Sequence, residues 1–277
     1  MLRLKIKVIF YILLPIVTLF LSGCDLKSDF SSTDGHTPSI EICRYDRLES
    51  RYLTTGDFSA LQQMSTDYPI KTRTLIEDIL QVGKVTDTDI NSRFLQFFQD
   101  STLQLLISDT EAHFADMTNL NKEFNKVFNK MLKELPKVPV PDVYTQIGGL
   151  NQSIVINNKS IGVCLDKYLG KDYHLYKKFY SEDQRKEMNE DYIVADALGF
   201  YLISVFPMTD YEDRPQIERD LYLGKIMWVT NYLVGKGRYI TTYVRMVNNY
   251  MQKYRNITVD MLLDNDDYDE IIKTNRE

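Results

Sequence analysis

The chain has 277 residues, with 33 Lys+Arg against 39 Asp+Glu for a net charge of −6, and is 44% hydrophobic and 12% aromatic. Apolar content of that order fills a sizeable core and excludes general disorder, while the length suits one large domain or two small ones. The acidic balance excludes nonspecific nucleic-acid binding, which needs a basic surface, and three cysteines with three scattered histidines (His36, His113, His174) exclude a disulfide scaffold and any recognisable metal-ligand spacing.

The first element is a leader. Residues 2–7 are basic, Val8–Leu21 is an uncharged apolar run of 14 residues, and Leu21-Ser22-Gly23-Cys24 follows directly. Fourteen residues at 1.5 Å each reach about 21 Å, short of the roughly 30 Å hydrocarbon slab, so the segment reads as a secretory leader rather than a permanent span. The four residues before the cut resemble the lipobox of bacterial lipoproteins, in which the cysteine is acylated and becomes the first residue. Cys24 is therefore the expected lipid attachment site, and the bilayer the expected partner through it. Loss of Arg3, Lys5 and Lys7 with residues 1–23 takes the basic count from 33 to 30 against 39 acidic residues, a mature charge of −9 on 254 residues. Residues 24–39 are polar and aperiodic and read as a tether, leaving 40–277 as a single globular domain. Asp25 after the cysteine would favour inner-membrane retention in enteric bacteria, a rule that does not carry to other phyla, so either membrane remains open. Cys43 and Cys164 allow one disulfide, or a buried free thiol at Cys164 within the apolar run Ile161–Leu165.

Up to Leu135 the patterns are helical. Asp57 can cap a helix over 57–66, Thr72–Gln81 stops at Gly83, and Thr86–Asp89 offers caps for Ile90–Phe98. In Leu120–Leu135 apolar residues recur at three and four, the pattern of a helix facing a core. Pro136, Pro139 and Pro141 force an extended connection. Val143–Ile147, Ser153–Ile156 and Ser160–Leu165 are β-prone, and Asn157-Asn158-Lys159 is turn chemistry for a hairpin. Asp191–Val205 is a helix whose single charge between Tyr192 and Phe206 is Asp196, the mark of a central buried helix ended by Pro207. Helices follow at Asp220–Leu233 and Tyr239–Tyr254. No internal repeat occurs, and the whole reads as α+β, mainly helical.

Val194-Ala195-Asp196-Ala197-Leu198-Gly199-Phe200-Tyr201-Leu202 has the frame of a zincin active helix, V-A-H-E-L-G-H-x-L, with its functional letters replaced. Two histidines at i and i+4 reach one zinc ion and the glutamate activates water; here Asp196, Ala197 and Phe200 stand in those positions, and Leu223 stands where a further ligand is often found. The expectation is a zincin-like domain with a small β-sheet or hairpin and a central buried helix, without a zinc site, without any cofactor and without catalytic residues. A carboxylate at Asp196 on an apolar helix must be hydrogen-bonded, paired or protonated. Asp166 and Tyr168 join it as candidate buried polar or ligand-contact residues, with Asp166 read as a turn or cap acceptor. Gly199 reads as a site of close packing. The acidic cluster of Asp264, Asp266, Asp267 and Asp269 lacks the glycine and terminal glutamate of an EF-hand and reads as solvated surface. Tyr239, Tyr243, Tyr250 and Tyr254, close to Arg238, Arg245 and Arg255, favour glycan or protein contact, or core packing.

A wider resemblance rests on Ile40-Glu41 through Tyr45-Asp46-Arg47, the Leu61…Tyr68-Pro69 segment with Ile79-Leu80 and Gly83, Gly149…Asn151-Gln152, Ile161-Gly162-Val163-Cys164-Leu165-Asp166-Lys167-Tyr168-Leu169-Gly170 with Tyr176, Ile193-Val194 with Asp196, and Gly224-Lys225. These residues resemble the gliding-motility lipoprotein GldB family of Bacteroidota envelopes from about Ile40 to the carboxyl end. The chain departs by inserting Cys164 into the family's I-G-L-D-x-Y-L-G pattern. The resemblance implies an envelope lipoprotein, in some members needed for gliding and associated secretion, with no catalytic residues to carry over. The expected function is a non-catalytic role in a membrane-associated protein assembly with envelope protein partners. The alternative is a metal-dependent hydrolase using Asp196 with further ligands, or a peptidase-like enzyme with another site not recognised in the sequence, and it needs a pocket where Asp196 converges with Asp166, His174 or Glu218. A glycan-binding role would instead show exposed tyrosines in a shallow groove.

Overall fold

The computed structural model describes residues 39–157 and 159–276. The leader, Cys24 and the tether as far as residue 38, which includes His36, lie outside the described residues, as does Asn158 of the hairpin turn.

The amino-terminal half is helical, as its periodicity requires: α1 (Tyr45–Thr55), α2 (Phe58–Asp67), α3 (Pro69–Arg73), α4 (Ile90–Phe97), α5 (Ser101–His113) and α6 (Thr118–Glu134). The starts are set by local chemistry. Asp57 accepts the Ser59 N–H ahead of α2, and Asp100 accepts the Thr102 and Leu103 N–H groups ahead of α5. The helix expected over 72–81 differs. After α3 the chain widens into a π-helical turn at Thr74–Ile79, closed by the Leu80 N–H on the Leu75 carbonyl at 2.9 Å. This places Leu75, Ile76 and Ile79 all in the core.

A three-stranded sheet follows: β1 (Asp142–Gln146), β2 (Ile154–Asn157) and β3 (Ser160–Cys164), in the order β1-β3-β2. The expected hairpin is β2 antiparallel to β3, and β1 lies parallel to β3 on its other edge, with Val143 opposite Ile161 and Gln146 opposite Cys164. Period-two alternation assigns the two faces to two separate cores. Val143, Ile154, Ile161 and Val163 face a core built with α6 and the carboxyl-terminal helices. Tyr144 and Val155 belong with the amino-terminal helices, among Tyr45, Leu75, Phe94 and Phe98. The sheet thus forms the middle of three layers. Gly162 makes this possible, because a Cβ there would sit 2.5 Å from the Tyr144 ring lying across β3.

Short helices α7 (Tyr176–Phe179) and α8 (Glu182–Arg185) lead to a 3-10 turn at Glu190–Tyr192 and to α9 (Ile193–Val205), then α10 (Gln216–Val234), α11 (Thr242–Lys253), α12 (Val259–Asp264) and α13 (Asp269–Thr274). α9 packs on β2, β3, α6 and α10, and Ile193, Ala195, Ala197, Leu198 and Leu202 have no exposed surface, so the central buried helix is present. The helix expected from Tyr239 begins only at Thr242, because Thr241 caps it by accepting the Val244 N–H. Close helix approach occurs at Gly224 rather than Gly199. A Cβ at Gly224 would lie 2.7 Å from Tyr243 Cβ and 3.0 Å from its backbone, whereas one at Gly199 meets nothing nearer than Thr230 Oγ1 at 3.6 Å.

Cys43 and Cys164 are both free thiols, so the disulfide allowed by the sequence does not form. Cys164 is buried on β3, where its sulfur accepts from Gln146 Nε2 at 3.3 Å; Cys43 is partly exposed, with Lys71 Nζ at 3.6 Å from its sulfur.

Candidate functional site

α9 places Asp196 one turn from its amino end, on a face left partly open. Both carboxylate oxygens are engaged. The Tyr239 hydroxyl donates to Oδ1 at 2.6 Å and the Tyr168 hydroxyl to Oδ2 at 2.8 Å. Tyr168 arrives from the 3-10 turn Leu165–Lys167 at the end of β3, and Tyr239 from the loop between α10 and α11. Three segments distant in sequence therefore meet at one carboxylate. Burial pushes the Asp196 pKa up to about 6, against the lowering effect of the two tyrosine bonds, and Glu187 adds to the rise. The two phenols are in turn pushed well above the tyrosine range by burial and by the adjacent carboxylate.

The neighbours on the helix add no donor atoms. Ala197 is fully buried, and Phe200, one turn on from Asp196, is 46% exposed. Leu223, which stands where a zincin often places a further ligand, is a partly buried side chain packed on the core. Among the described residues, no three His, Cys, Asp or Glu side chains are grouped so as to hold a metal ion. The convergence that a hydrolase reading needs is not made: Glu218 pairs with Arg214 at 2.8 Å, His174 packs edge-on against the Tyr173 ring, and Asp166 serves another place. The distal acidic cluster is partly tied down, with Asp266 paired to Arg214 and Asp267 accepting the Asp269 N–H.

Asp166 holds a turn. Its carboxylate accepts the N–H groups of Gly148 at 2.8 Å and Leu150 at 2.6 Å, across a turn in which Gly149 and Leu150 both take positive φ, 61° and 67°. Its own carbonyl accepts the Tyr176 hydroxyl. Burial raises its pKa, opposed by those backbone donors. This is the turn-acceptor role its position after β3 suggests.

Two polar roles escape the sequence reading, that of Tyr239 as a partner of Asp196 and that of Glu49. Tyr239 was placed inside a helix; the signal that would have freed it is Thr241, a better cap than any residue before it. Glu49 lies on the Tyr45-Glu49-Leu53 stripe of α1, a charge in the middle of an apolar face. It is fully buried, accepts the Ile147 N–H at 2.8 Å on one oxygen and has no protein partner on the other. Burial pushes its pKa well above the carboxylate range, and Asp166 and Asp46 add to the rise. Asp46 beside it is bound by the Arg44 guanidinium at 2.9 and 2.8 Å and by the Thr145 hydroxyl.

The fold and site define a mainly helical α+β domain in which a half-buried carboxylate is held by tyrosines rather than arranged among metal ligands. The chain belongs to the family described as gliding motility protein GldB, which matches residues 25–242. This is a lipoprotein family associated with gliding motility, and it places the chain with the cell envelope. The match ends within the first residue of α11, short of the carboxyl end to which the resemblance was expected to run. No curated protein and no solved structure matches the chain. Among the described residues, no helix is long and apolar enough to cross a membrane.

Proposed function

We propose that the protein is a non-catalytic envelope lipoprotein, cleaved after residue 23, acylated at Cys24 and carried on the 24–39 tether, whose 40–277 domain serves a protein assembly of the gliding or secretion machinery. Family membership supports the envelope and motility context. The observation that carries the non-catalytic part is the state of Asp196. Both of its oxygens already accept tyrosine hydroxyls, and Ala197 and Phe200 beside it offer neither a general base nor a ligand atom.

The zincin-like reading of the scaffold is supported by the order hairpin, α9, α10, with the V-A-x-x-L-G frame on α9. Each position that would bind zinc or activate water carries a residue that does neither in this geometry. The test is metal content by mass spectrometry on the full chain in detergent, purified without a histidine tag and re-equilibrated with Zn²⁺. The expected result is no stoichiometric metal. One zinc per chain that is lost in Asp196→Ala would overturn the reading and make a metal-dependent hydrolase the leading one.

A further inference from the structure

The carboxyl-terminal half of α10, the loop before α11 and the first turns of α11 enclose a shallow groove of about 390 Å³. That volume lies at the lower end of small-molecule pockets, roughly 300–1,000 Å³, and is far too small for a macromolecular interface by itself. Its walls are fixed in advance. The Trp228 indole N–H donates to Asn248 Oδ1 at 3.2 Å, and the Tyr232 ring lies parallel to the indole, 3° from its plane with centroids 5.7 Å apart. Lys130 Nζ stands 3.8 Å over the Tyr232 ring, whose hydroxyl donates to Glu134 at 2.8 Å. Tyr239 is held by Asp196, and Asn231 receives its backbone N–H at 3.0 Å. Rings locked in this way lose little freedom when a ligand arrives.

What the groove leaves free is equally specific. Arg245 is exposed and, among the described residues, is the single charged one lining it; the Thr242 hydroxyl, at 3.2 Å, takes one of its five donors. Because an indole N–H only donates, the Asn248 amide must turn its oxygen to Trp228, which leaves its NH₂ as a donor. Ile240 stands on the rim with 83% of its surface exposed. Among the described residues no carboxylate lines the groove, and the one behind it, Asp196, already accepts from two tyrosines.

We propose that this groove binds a carboxylated glycan, with a sugar ring laid on the Trp228 face and its carboxylate in the Arg245 fork. A flat aromatic surface suits the C–H face of a pyranose, a guanidinium takes a carboxylate through two parallel bonds, and the Asn248 amide donates to a ring hydroxyl. The pair of carboxyl groups that flanks the bond in the usual glycosidic hydrolysis is absent from the groove's lining among the described residues, so the role proposed is binding. This goes beyond the assembly role and does not depend on it.

Trp228 is the chain's one tryptophan, so its emission reports this groove alone. The full chain in detergent is titrated with tri-galacturonic acid, and in parallel with the neutral trimer of N-acetylglucosamine and a blocked Glu/Leu tetrapeptide. The expected result is a saturable emission change with the acidic trimer at a Kd of about 1 mM or below, weaker with the neutral one. Arg245→Ala should weaken binding about tenfold with unchanged circular dichroism, and Arg245→Lys should recover only part, because a point charge replaces a fork. The proposal falls if the acidic trimer gives no saturable change up to about 10 mM, if Arg245→Ala binds as well as the parent, or if only the tetrapeptide shifts the emission, which would make the groove a protein dock.

Discussion

At the scale of single residues, the buried acids Asp196 and Glu49 make separate predictions for stability. Asp196 titrates near pH 6 in the folded protein against an ordinary 3.8, so between those values the native state holds a proton that the unfolded chain has released. Its contribution is therefore fully present below about pH 4, declines as pH rises through 6, and is constant above. Two units correspond to at most about 3 kcal/mol. Urea unfolding from pH 4 to 7 should show a smaller decline for Asp196→Asn than for the parent; equal declines would mean that the carboxyl is not shifted. Glu49 presents a sharper contrast. Burial pushes its pKa well up and so favours the neutral acid in the fold, and Glu49→Gln should unfold within about 1 kcal/mol of the parent. Glu49→Ala strips the Ile147 N–H of its acceptor and should cost about 2–3 kcal/mol in the same denaturation measurement.

At the scale of elements, two helix glycines look alike in sequence and differ in the structure. Gly224 sits where α11 crosses α10, and any Cβ would press on the backbone of Tyr243, so Gly224→Ala should force the helices apart and lower the thermal midpoint by several degrees. Gly199 has ordinary contact distances around its missing Cβ. Relieved of glycine's entropy cost, Gly199→Ala should gain about 0.5–1 kcal/mol. Calorimetry on both variants separates the cases, and a stabilised Gly224→Ala would contradict the packing described. The helices over the periodic stretches, the cap at Asp57 and the β2–β3 hairpin were legible because periodicity and capping act within a few residues, whereas the cap at Asp100 was not read and Asp89 makes no side-chain cap ahead of α4. The π-helical turn at 74–79 was not, since it is favoured by what Leu75 and Ile76 pack against rather than by their neighbours in sequence.

At the scale of the whole molecule, the sheet separates two cores while its strands carry polar groups that tie distant segments together. Glu49 of α1 reaches Ile147, 98 residues away, and Tyr168 and Tyr239 reach Asp196 across 28 and 43. Cys164 lies inside this middle layer with no exposed surface, so a thiol reagent should reach it only as fast as the domain opens globally. Cys43, partly exposed, should react first in the native protein. Mass spectrometry of partially alkylated protein checks the order, and early labelling of Cys164 would show that the layer opens locally.

What the sequence by itself determined is what short-range chemistry controls: helices from apolar spacing, a hairpin from turn residues, helix stops ahead of Pro136 and Pro207, and the requirement that a carboxylate at Asp196 find partners. It also carried the family. What only the tertiary structure decided are the identities of those partners, the parallel pairing of β1 with β3, the two free thiols and the groove beside Trp228. Each depends on contacts between segments tens of residues apart, whose geometry is set by the packing of both cores at once and leaves no local period to read.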